Sequence, residues 1–583
     1  MDLPANESIQ CRPYPSILIL KNDTIMKKYR NLVLTLLVAM TSGCSDMLDI
    51  NPTTFISDEA LWEDSKLIKQ FVANTYGTML CGFNRCTAGY EQDWSMSWAG
   101  NLDAGTDDFA SVADSPIYTQ LNKDAITAQS CPFVEEIWKQ EYKVIRKCNI
   151  IIERIPTVAE NVLSAAEKAK LDAEARFLRA FCHFELARTF GKAPLLTRAQ
   201  QLEDELKVAP SSFEDIVTFI KEECDLYAKN LPATTSGDEV GHATKGAFLA
   251  LKSRALLYLA SPLNSEDNAQ KWAEAAAAAQ DVMDLHVYEL YKAGTTPYRD
   301  MEFDKTEANK EIIFERRFAL PEASHNIHMM WSLDSEDAGS WNGLYPTQNL
   351  VDAYETTDGK MIGDAGNTLY NAQDPYQSRD ARFYQSIIYN GSTWETHTMS
   401  MVDNTVDDSK DGLCKPKIGK ARCGYGPKKF MEELDPSTNL YGGYAQSNNW
   451  PYFRYAEILL NYAEAKNESM AAPDESVYKA IDEVRSRSGQ PGLPAGMSKT
   501  AMRERIKNER RIELLLEEHR FYDLRRWKDG AVLAEPIMGM NIYDNNVTLK
   551  YEVSKVEDRV FTGEHYYLPI PLSEQQKNPL LAD

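Results

Sequence analysis

The sequence predicts a mainly α-helical protein in which a scaffold of tetratricopeptide-like helix pairs is interrupted by a large, irregular insert with short strands. Two observations predict this architecture. Apolar residues recur at three- and four-residue steps over about 58–284 and again over about 453–528, which is the period of amphipathic helices. Residues 290–450 lack this period and are rich in Gly, Asn, Asp, Tyr and Trp. A stretch of that length is too long for a passive loop, so it indicates a functional region or a subdomain.

The helices follow from the positions of the apolar runs and of their boundary residues. Thr244 is a plausible N-cap, and Gly191 followed by Pro194 predicts the end of the helix that contains Leu171. Short turns between the helices favour tetratricopeptide-like hairpins, although no clean repeat can be scored. The predicted helices span about 58–80, 133–154, 171–190, 211–229, 244–260, 270–284, 453–468, 474–487, 499–518 and 520–528.

Short β-strands are predicted inside the insert, at about 311–318 and 383–389, where apolar and aromatic residues cluster without a helical period. The end of the chain, 561–571, contains Pro569 and Pro571 and is predicted to be extended.

The charge balance excludes one class of partner. The 583 residues include 63 Lys and Arg against 87 Asp and Glu, which gives a net charge of -24. A surface of that sign repels phosphate backbones, so no nucleic-acid partner is expected. With 29 Tyr and 10 Trp, the chain is better suited to neutral ligands that stack on rings.

The N-terminal segment resembles a bacterial lipoprotein signal. Basic residues after Met26 precede the apolar run 32–40, which is too short to span a bilayer, and Ser42-Gly43-Cys44 follows. We therefore expect residues 1–25 to be a wrongly assigned upstream extension, 26–43 a signal peptide, and Cys44 the lipidated first residue of the mature chain. An ordinary signal with an unmodified cysteine is the alternative.

The ten cysteines suggest two disulfides and several buried thiols. Cys81 with Cys86, and Cys414 with Cys423, lie close in the chain in Gly-containing stretches, and disulfides are allowed outside the cytoplasm. By contrast, three cysteines fall on apolar helix faces, where a buried thiol is expected. These are Cys148, Cys182 and Cys224.

Motifs for catalysis and for metal binding are missing or incomplete in the sequence. Phosphate-binding, zinc-protease and nucleophile-elbow motifs do not occur, and no Cys-x-x-Cys pair supports a zinc ribbon. His325-x-x-His328 lies in an irregular stretch, and the calcium-like run 407–412 has Ile418 where a bidentate Glu is needed. We therefore predict no metal, no cofactor and no enzymatic activity. Surface glycosidase activity is an open alternative, because the spacing of carboxylates is not visible in a sequence.

Aromatic residues in loop-like stretches are the candidate binding residues. Flat rings can stack on sugar C–H groups while neighbouring Asn, Asp or Arg side chains bind hydroxyls. The sequence therefore predicts a shallow platform for a neutral glycan. For any one of these tryptophans, the alternative is that it only fills the junction between insert and scaffold. The candidates are Arg85, Trp94, Trp98, Asn101 and Asp103 in one region, with Asp107 close by, and Trp331, Trp341 and Tyr345 in a second.

The last long helix carries a dense pattern of charges. Ile512, Leu515 and Leu516 are predicted to form its buried side. Opposite charges three residues apart are predicted to form exposed, structural ion pairs, each contributing about 0.2 to 0.5 kcal/mol. These pairs are Arg510 with Glu513, Glu517 with Arg520, and Asp523 with Arg526.

Several stretches of the chain resemble the SusD/RagB family of nutrient-uptake lipoproteins. The most specific is NERRIELLLEEHRFYDLRRW at 508–527, in which Glu518 occupies a position where glycine is commoner. The others begin at Cys44 and cover 173–194, 244–260, 454–465 and 480–489, in the order of the family. The resemblance runs from Cys44 to Trp527, so 44–583 is expected to be a single SusD-like domain.

The resemblance implies a function. Characterised members of this family bind glycans through an aromatic arc in loop regions. They deliver oligosaccharides to a SusC-like TonB-dependent transporter in the outer membrane, where a lipid anchor holds them facing outwards. The expected partners are therefore an oligosaccharide or polysaccharide, the transporter and the membrane. A peptide ligand, or a purely protein-binding helical-repeat lipoprotein, are the further alternatives.

Overall fold

The fold was obtained as a computed structural model. The structure describes residues 58–84, 101–111, 120–130, 132–266, 268–331, 333, 343–394, 397–402, 413–414, 423–433, 446–544 and 547–582. The chain forms two units, Met1–Glu63 and Asp64–Asp583. The described part of the smaller unit holds one short helix, α1 (Asp58–Trp62), in which Trp62 Nε1 donates to Asp58 Oδ1 at 3.1 Å.

The larger unit is mainly helical, as the sequence predicts. In the described residues its helices are α2 (Ser65–Thr78), α3 (Pro132–Arg154), α4 (Ala165–Phe190), α5 (Phe213–Tyr227), α6 (Lys245–Ala260), α7 (Ala269–Met283), α8 (Pro297–Asp300), α9 (Ile327–Trp331), α10 (Gln348–Ala353), α11 (Ala381–Ser386), α12 (Tyr455–Ser469), α13 (Glu475–Arg487), α14 (Lys499–Glu513), α15 (His519–Arg526), α16 (Gly530–Leu533) and α17 (Leu572–Lys577). None of the helices described here has the length and apolar content that crossing a bilayer requires.

Helix α4 is the centre of the first helical block. It begins at a capping box formed by Ser164 and Glu167, and it ends at Gly191, whose φ of 75° is left-handed. Its residues from Ala173 onward are almost all buried, because α3, α5 and α6 pack around it. The predicted Thr244 cap of α6 is confirmed, since its hydroxyl accepts from Ala247 N at 3.2 Å.

Helices α7 and α12 pack against each other and join the first helical block to the second. Within the second block, α13 and α14 pack on α12. This arrangement of successive helix pairs confirms the predicted tetratricopeptide-like scaffold.

Helix α14 ends at Glu513, five residues before the predicted end of that helix at 518. The chain turns at Leu516 and Glu518, whose φ angles of 60° and 61° are left-handed, and α15 starts directly afterwards. Likewise, the predicted helix at 58–80 is divided at Asp64, whose side chain caps α2.

The strands are short and pair in small sheets. They are β1 (Phe109–Ser111), β2 (Lys192–Ala193), β3 (Ser211–Ser212), β4 (Ile312–Arg316), β5 (Leu344–Pro346), β6 (Ile387–Ile388), β7 (Thr393–Trp394), β8 (His397–Met399), β9 (Leu413–Cys414), β10 (Gly426–Pro427), β11 (Trp450–Arg454), β12 (Ile537–Asp544) and β13 (Leu549–Glu557). Antiparallel pairs join β1 with β5, β2 with β3, β4 with β11, β6 with β10 and β12 with β13, while β7, β8 and β9 form one sheet.

One of the two predicted strands is confirmed and the other is mostly wrong. Strand β4 lies within the predicted 311–318. The predicted 383–389 instead begins as helix α11, because Asp380 Oδ1 accepts from Arg382 N at 2.8 Å and caps the helix; only β6 is extended there.

Buried ion pairs connect the insert to the second helical block. Arg454 Nη1 lies 2.8 Å from Glu311 Oε1 and 2.7 Å from Glu513 Oε1, and Arg382 Nη1 lies 2.6 Å from Glu509 Oε1. Burial alone would raise the pKa of Glu513, but the guanidinium groups of Arg487, Arg454 and Arg382 lower it well below its usual value. The insert is therefore held to the scaffold by charges inside the protein.

The predicted exposure of the charges around α14 is wrong, although Ile512, Leu515 and Leu516 are buried as predicted. All six predicted pairing residues except Arg520 are less than 9% exposed. Only Asp523 with Arg526 forms the predicted pair, at 2.8 Å. The others pair with distant residues: Arg510 with Asp523, Glu513 with Arg454, Glu517 with Lys429, and Arg520 with Asp107.

Candidate functional site

An aromatic cluster lies where the insert meets the first helical block. Phe83, which follows α2, is at its centre. Ring centroids lie 4.4 Å from Phe83 for His325, 5.0 Å for Trp450, 5.4 Å for Phe430, and 5.9 Å for both Phe318 and Trp331. We call these six residues the aromatic cluster.

Close packing in the aromatic cluster depends on a glycine. A Cβ atom at Gly82 would lie 2.1 Å from Cη2 of Trp450, so only glycine lets the chain approach this ring. Strand β11 supplies Trp450, and its pairing with β4 places Trp450 opposite Arg316, two residues before Phe318.

Two rings of the cluster are only half-buried. These are Phe318 and His325, whose centroids lie 4.8 Å apart in an edge-to-face arrangement. The guanidinium carbon of Arg316 lies 5.3 Å from the Phe318 centroid. Open ring surface next to polar groups is the combination that sugar binding requires.

Polar side chains surround the two half-buried rings. Lys305 Nζ donates to Ser447 Oγ at 2.7 Å, and Asn449 Nδ2 donates to Glu315 Oε1 at 2.8 Å. Asn449 Oδ1 also accepts from Phe318 N at 2.9 Å, which fixes the edge of the cluster.

The imidazole in the cluster is neutral at physiological pH. Burial lowers the pKa of His325 to about 4, although its hydrogen bond with Asn448 O, at 3.0 Å, opposes this shift. Burial also raises the pKa of Glu315, while the hydrogen bond from Asn449 lowers it. A neutral ring and amide groups suit an uncharged ligand.

Three segments outside the described residues begin or end, along the chain, close to residues of the cluster. Residues 85–100 follow Asn84, next to Phe83. Residues 334–342 lie between Leu333 and Gly343, and Gly343 N donates to Met330 O at 2.9 Å. Residues 434–445 precede Gln446, whose backbone forms a β-bridge with His325.

Phe83 and Trp331, which are in ring contact, each lie close in the chain to one of the two regions in which the sequence predicts binding residues. Four of the predicted residues lie outside the described residues, in segments attached to the cluster. They are Arg85, Trp94, Trp98 and Trp341.

Two predicted ring contacts are not exposed. Trp331 is 1% exposed and packs edge-on against Phe83 inside the cluster, so the alternative that it fills the junction holds for this residue. Tyr345 is only 6% exposed. It lies in β5, which pairs with β1 and places Tyr345 opposite Ala110. The expectation that these two rings form an open platform is therefore wrong.

Asn101 and Asp103 are also fully buried, at 0% exposure, and their contacts are structural. Asn101 Oδ1 accepts from Asp103 N at 2.9 Å to cap the 3₁₀ helix Leu102–Gly105, and its Nδ2 donates to Leu516 O at 2.9 Å. Burial raises the pKa of Asp103 well above its usual value, and Asp108 and Glu518 raise it further. The hydrogen bond from Asn101 therefore anchors the chain at 101–105 to the turn after α14.

The cysteines are partly described. Cys148, Cys182 and Cys224 are buried thiols, as predicted, and burial raises the pKa of Cys148 to about 12. Cys81 and Cys423 are buried, whereas Cys86 and the side chain of Cys414 lie outside the described residues, so both disulfides stay predictions. Cys44, the predicted lipid anchor, also lies outside them.

The described residues contain no group of three or more His, Cys, Asp or Glu side chains arranged to hold a metal ion. His325 and His328 are not part of such a group. The calcium-like run 407–412 lies in a part of the chain that the structure does not describe.

Comparison with known proteins gives the family. The model of the SusD family matches residues 301–583, and a model described as starch-binding, associating with outer membrane, matches 92–259. The chain belongs to the SusD family.

The individual SusD-like proteins have low sequence identity to this chain, but the similarity extends over most of the length of both chains. SusD-like protein P38 of Formosa agariphila is 23% identical over 549 residues, which cover 88% of this chain and 95% of that protein. A SusD-like protein from Bacteroides fragilis is 28% identical with a TM-score of 0.73, and covers 90% of this chain and 97% of its own. A SusD-like carbohydrate-binding protein from the same species is 25% identical with a TM-score of 0.72, with 89% and 99% covered.

Sequence reasoning missed most of the aromatic cluster. Phe83, Phe318, Phe430 and Trp450 were not among the predicted binding residues. The signal that could have identified them is position, since each lies within about a dozen residues of a segment rich in Gly, Asn or Trp.

Proposed function

We propose that this protein is a non-catalytic, glycan-binding lipoprotein of the cell surface. It captures oligosaccharides and delivers them to a SusC-like TonB-dependent transporter in the outer membrane. Cys44 carries the lipid anchor. The description of one matching family model, which names starch binding and association with the outer membrane, supports the ligand class and the location.

The observation that carries the proposal is the aromatic cluster. Half-buried Phe318 and His325 offer ring surface, while the partly exposed Lys305 and Ser447 can exchange hydrogen bonds with hydroxyl groups. Trp94, Trp98 and Trp341, which the sequence predicts as binding residues, lie outside the described residues and are proposed as further ligand contacts. The related B. fragilis protein described as carbohydrate-binding shares the fold, which agrees with this assignment.

Binding to soluble starch tests the proposal, using the mature chain from residue 44 and affinity electrophoresis. Trp98→Ala and Phe318→Ala should each weaken retention by about five- to thirtyfold, because stacking of one ring contributes roughly 1 to 2 kcal/mol. The matched control is Tyr543→Ala. It removes a tyrosine of β12 that is 38% exposed and does not belong to the aromatic cluster.

Two results would contradict the proposal in different ways. Unchanged retention in both variants would exclude the cluster as the binding site. New reducing ends, on incubation of the pure protein with starch, would show a glycosidase and refute the non-catalytic role.

A further inference from the structure

Four consecutive polar residues, 446–449, hold the two half-buried rings of the aromatic cluster. His325 is bound through its backbone, since His325 N donates to Gln446 O at 3.0 Å and Gln446 N donates to His325 O at 2.8 Å. Its ring is bound as well, because Nε2 lies 3.0 Å from Asn448 O. A carbonyl oxygen can only accept a hydrogen bond, so Nε2 carries the ring proton and the orientation of the imidazole is fixed.

Asn449 holds the other half-buried ring, Phe318, through a bond in which a side chain replaces the backbone. The pairing of β4 with β11 ends where Arg316 lies opposite Trp450. Two residues after Arg316, Phe318 N donates at 2.9 Å to Oδ1 of Asn449 instead of to a backbone carbonyl. Phe318 is therefore fixed in place outside the strand, where its ring stays half-buried.

The side-chain amide of Asn449 is itself held in one orientation. Its Oδ1 accepts from Phe318 N, and its Nδ2 donates to Glu315 Oε1 at 2.8 Å. Exchange of the amide oxygen and nitrogen would bring two N–H donors together at Phe318. Asn449 is only 5% exposed, so its contacts are with the protein and its influence on a ligand passes through the Phe318 ring.

We propose that Asn449 is a positioning residue of the glycan site, which fixes Phe318 relative to His325 so that both rings contact the same ligand. This inference rests on the proposed function and deepens it. The segment 446–449 is the common support of the two rings, since its residues bind both. Their edge-to-face arrangement, with centroids 4.8 Å apart, is thus set before a ligand arrives, which lowers the entropic cost of binding.

Retention of Asn449→Ala on soluble starch, measured by affinity electrophoresis of the mature chain, tests this role. The variant should bind about two- to tenfold more weakly, because the apparent affinity falls with the fraction of molecules that keep the ring in place, and one hydrogen bond shifts that fraction by this factor. The matched control is Asn149→Ala. It removes another buried amide, which lies in α3 and donates to Leu196 O and Arg198 O at 3.0 Å. The control should destabilise the fold and leave retention unchanged.

Reversal of the hydrogen bond between Asn449 and Glu315 separates positioning from a general loss of structure. Asn449→Asp keeps an acceptor for Phe318 N but places a second carboxylate beside Glu315, so retention should fall. Addition of Glu315→Gln supplies an amide that donates to the new carboxylate. The double variant should therefore regain retention to within about twofold of the unaltered protein.

The outcomes distinguish this inference from the function on which it rests. Unchanged retention in Asn449→Ala, together with loss in Phe318→Ala, overturns the positioning role and leaves the proposed function standing. Equal loss in Asn449→Ala and Asn149→Ala, or a double variant that stays as weak as Asn449→Asp, also overturns the positioning role. If the unaltered protein retains neither starch nor any other polysaccharide, both the role and the proposed function fail.

Discussion

At the scale of single residues, burial separates structural aromatic residues from candidate ligand contacts. Trp331 was expected to be exposed because it lies in a loop-like, irregular region of the sequence, but its ring lies within the aromatic cluster at 1% exposure. Phe318 has a less distinctive sequence context and is half-buried. A sequence identifies a residue type suited to stacking, whereas only the packing of distant segments decides which ring keeps an open face.

Truncation of Trp331 tests its structural role. Trp331→Ala should lower the free energy of unfolding by about 3 to 5 kcal/mol, because it leaves a cavity beside Phe83. Trp331→Phe should cost less, since much of the ring is retained. Urea denaturation measures both. Full stability of Trp331→Ala combined with loss of starch binding would instead show that the indole contacts the ligand.

At the scale of elements, the helices were predictable and the insert was not. Apolar periodicity, Thr244 and Gly191 define α4 and α6 closely, because each signal acts within a few residues. Helix α11 was missed although Asp380 caps it locally, because it is only six residues long and Arg382 within it also pairs with Glu509 and Glu513, more than a hundred residues away. The hairpin β12–β13 and the buried pairing of α14 also depend on such distant contacts.

The corner between α14 and α15 places Glu518 in a backbone conformation that favours glycine. Glu518 has a φ of 61°, a left-handed conformation that glycine adopts without strain and β-branched residues adopt poorly. Glu518→Val should therefore be less stable than Glu518→Gly by about 1 to 2 kcal/mol. Chemical denaturation of the two variants measures this difference, and equal stabilities would mean that the corner rearranges.

At the scale of the whole molecule, buried titratable groups make stability depend on pH. Burial lowers the pKa of His183 to about 3, and its Nε2 lies 3.3 Å from Leu196 O. Between pH 6.5 and pH 3, the unfolded chain binds a proton at this residue that the folded chain does not. Stability associated with His183 is therefore complete above pH 6.5 and is lost as the pH falls.

Replacement of this histidine tests the pH dependence. Between pH 6.5 and pH 4.5, the free energy of unfolding of the unaltered protein should fall more steeply than that of His183→Phe, by up to about 1.4 kcal/mol per pH unit. Denaturation at several pH values measures both slopes. His286→Asn, which alters an exposed histidine, serves as the control and should retain the original slope. Parallel slopes for all three proteins would show that His183 is protonated in the folded chain.

The hydrogen bond from Gly343 N to Met330 O has a consequence for engineering. This bond links residues on either side of 334–342. The two ends of a sequence exchanged for 334–342 would therefore be held close together. Chimeras with foreign loops at this position should therefore retain the parental helices, and a library of them could display many different loop sequences on one framework.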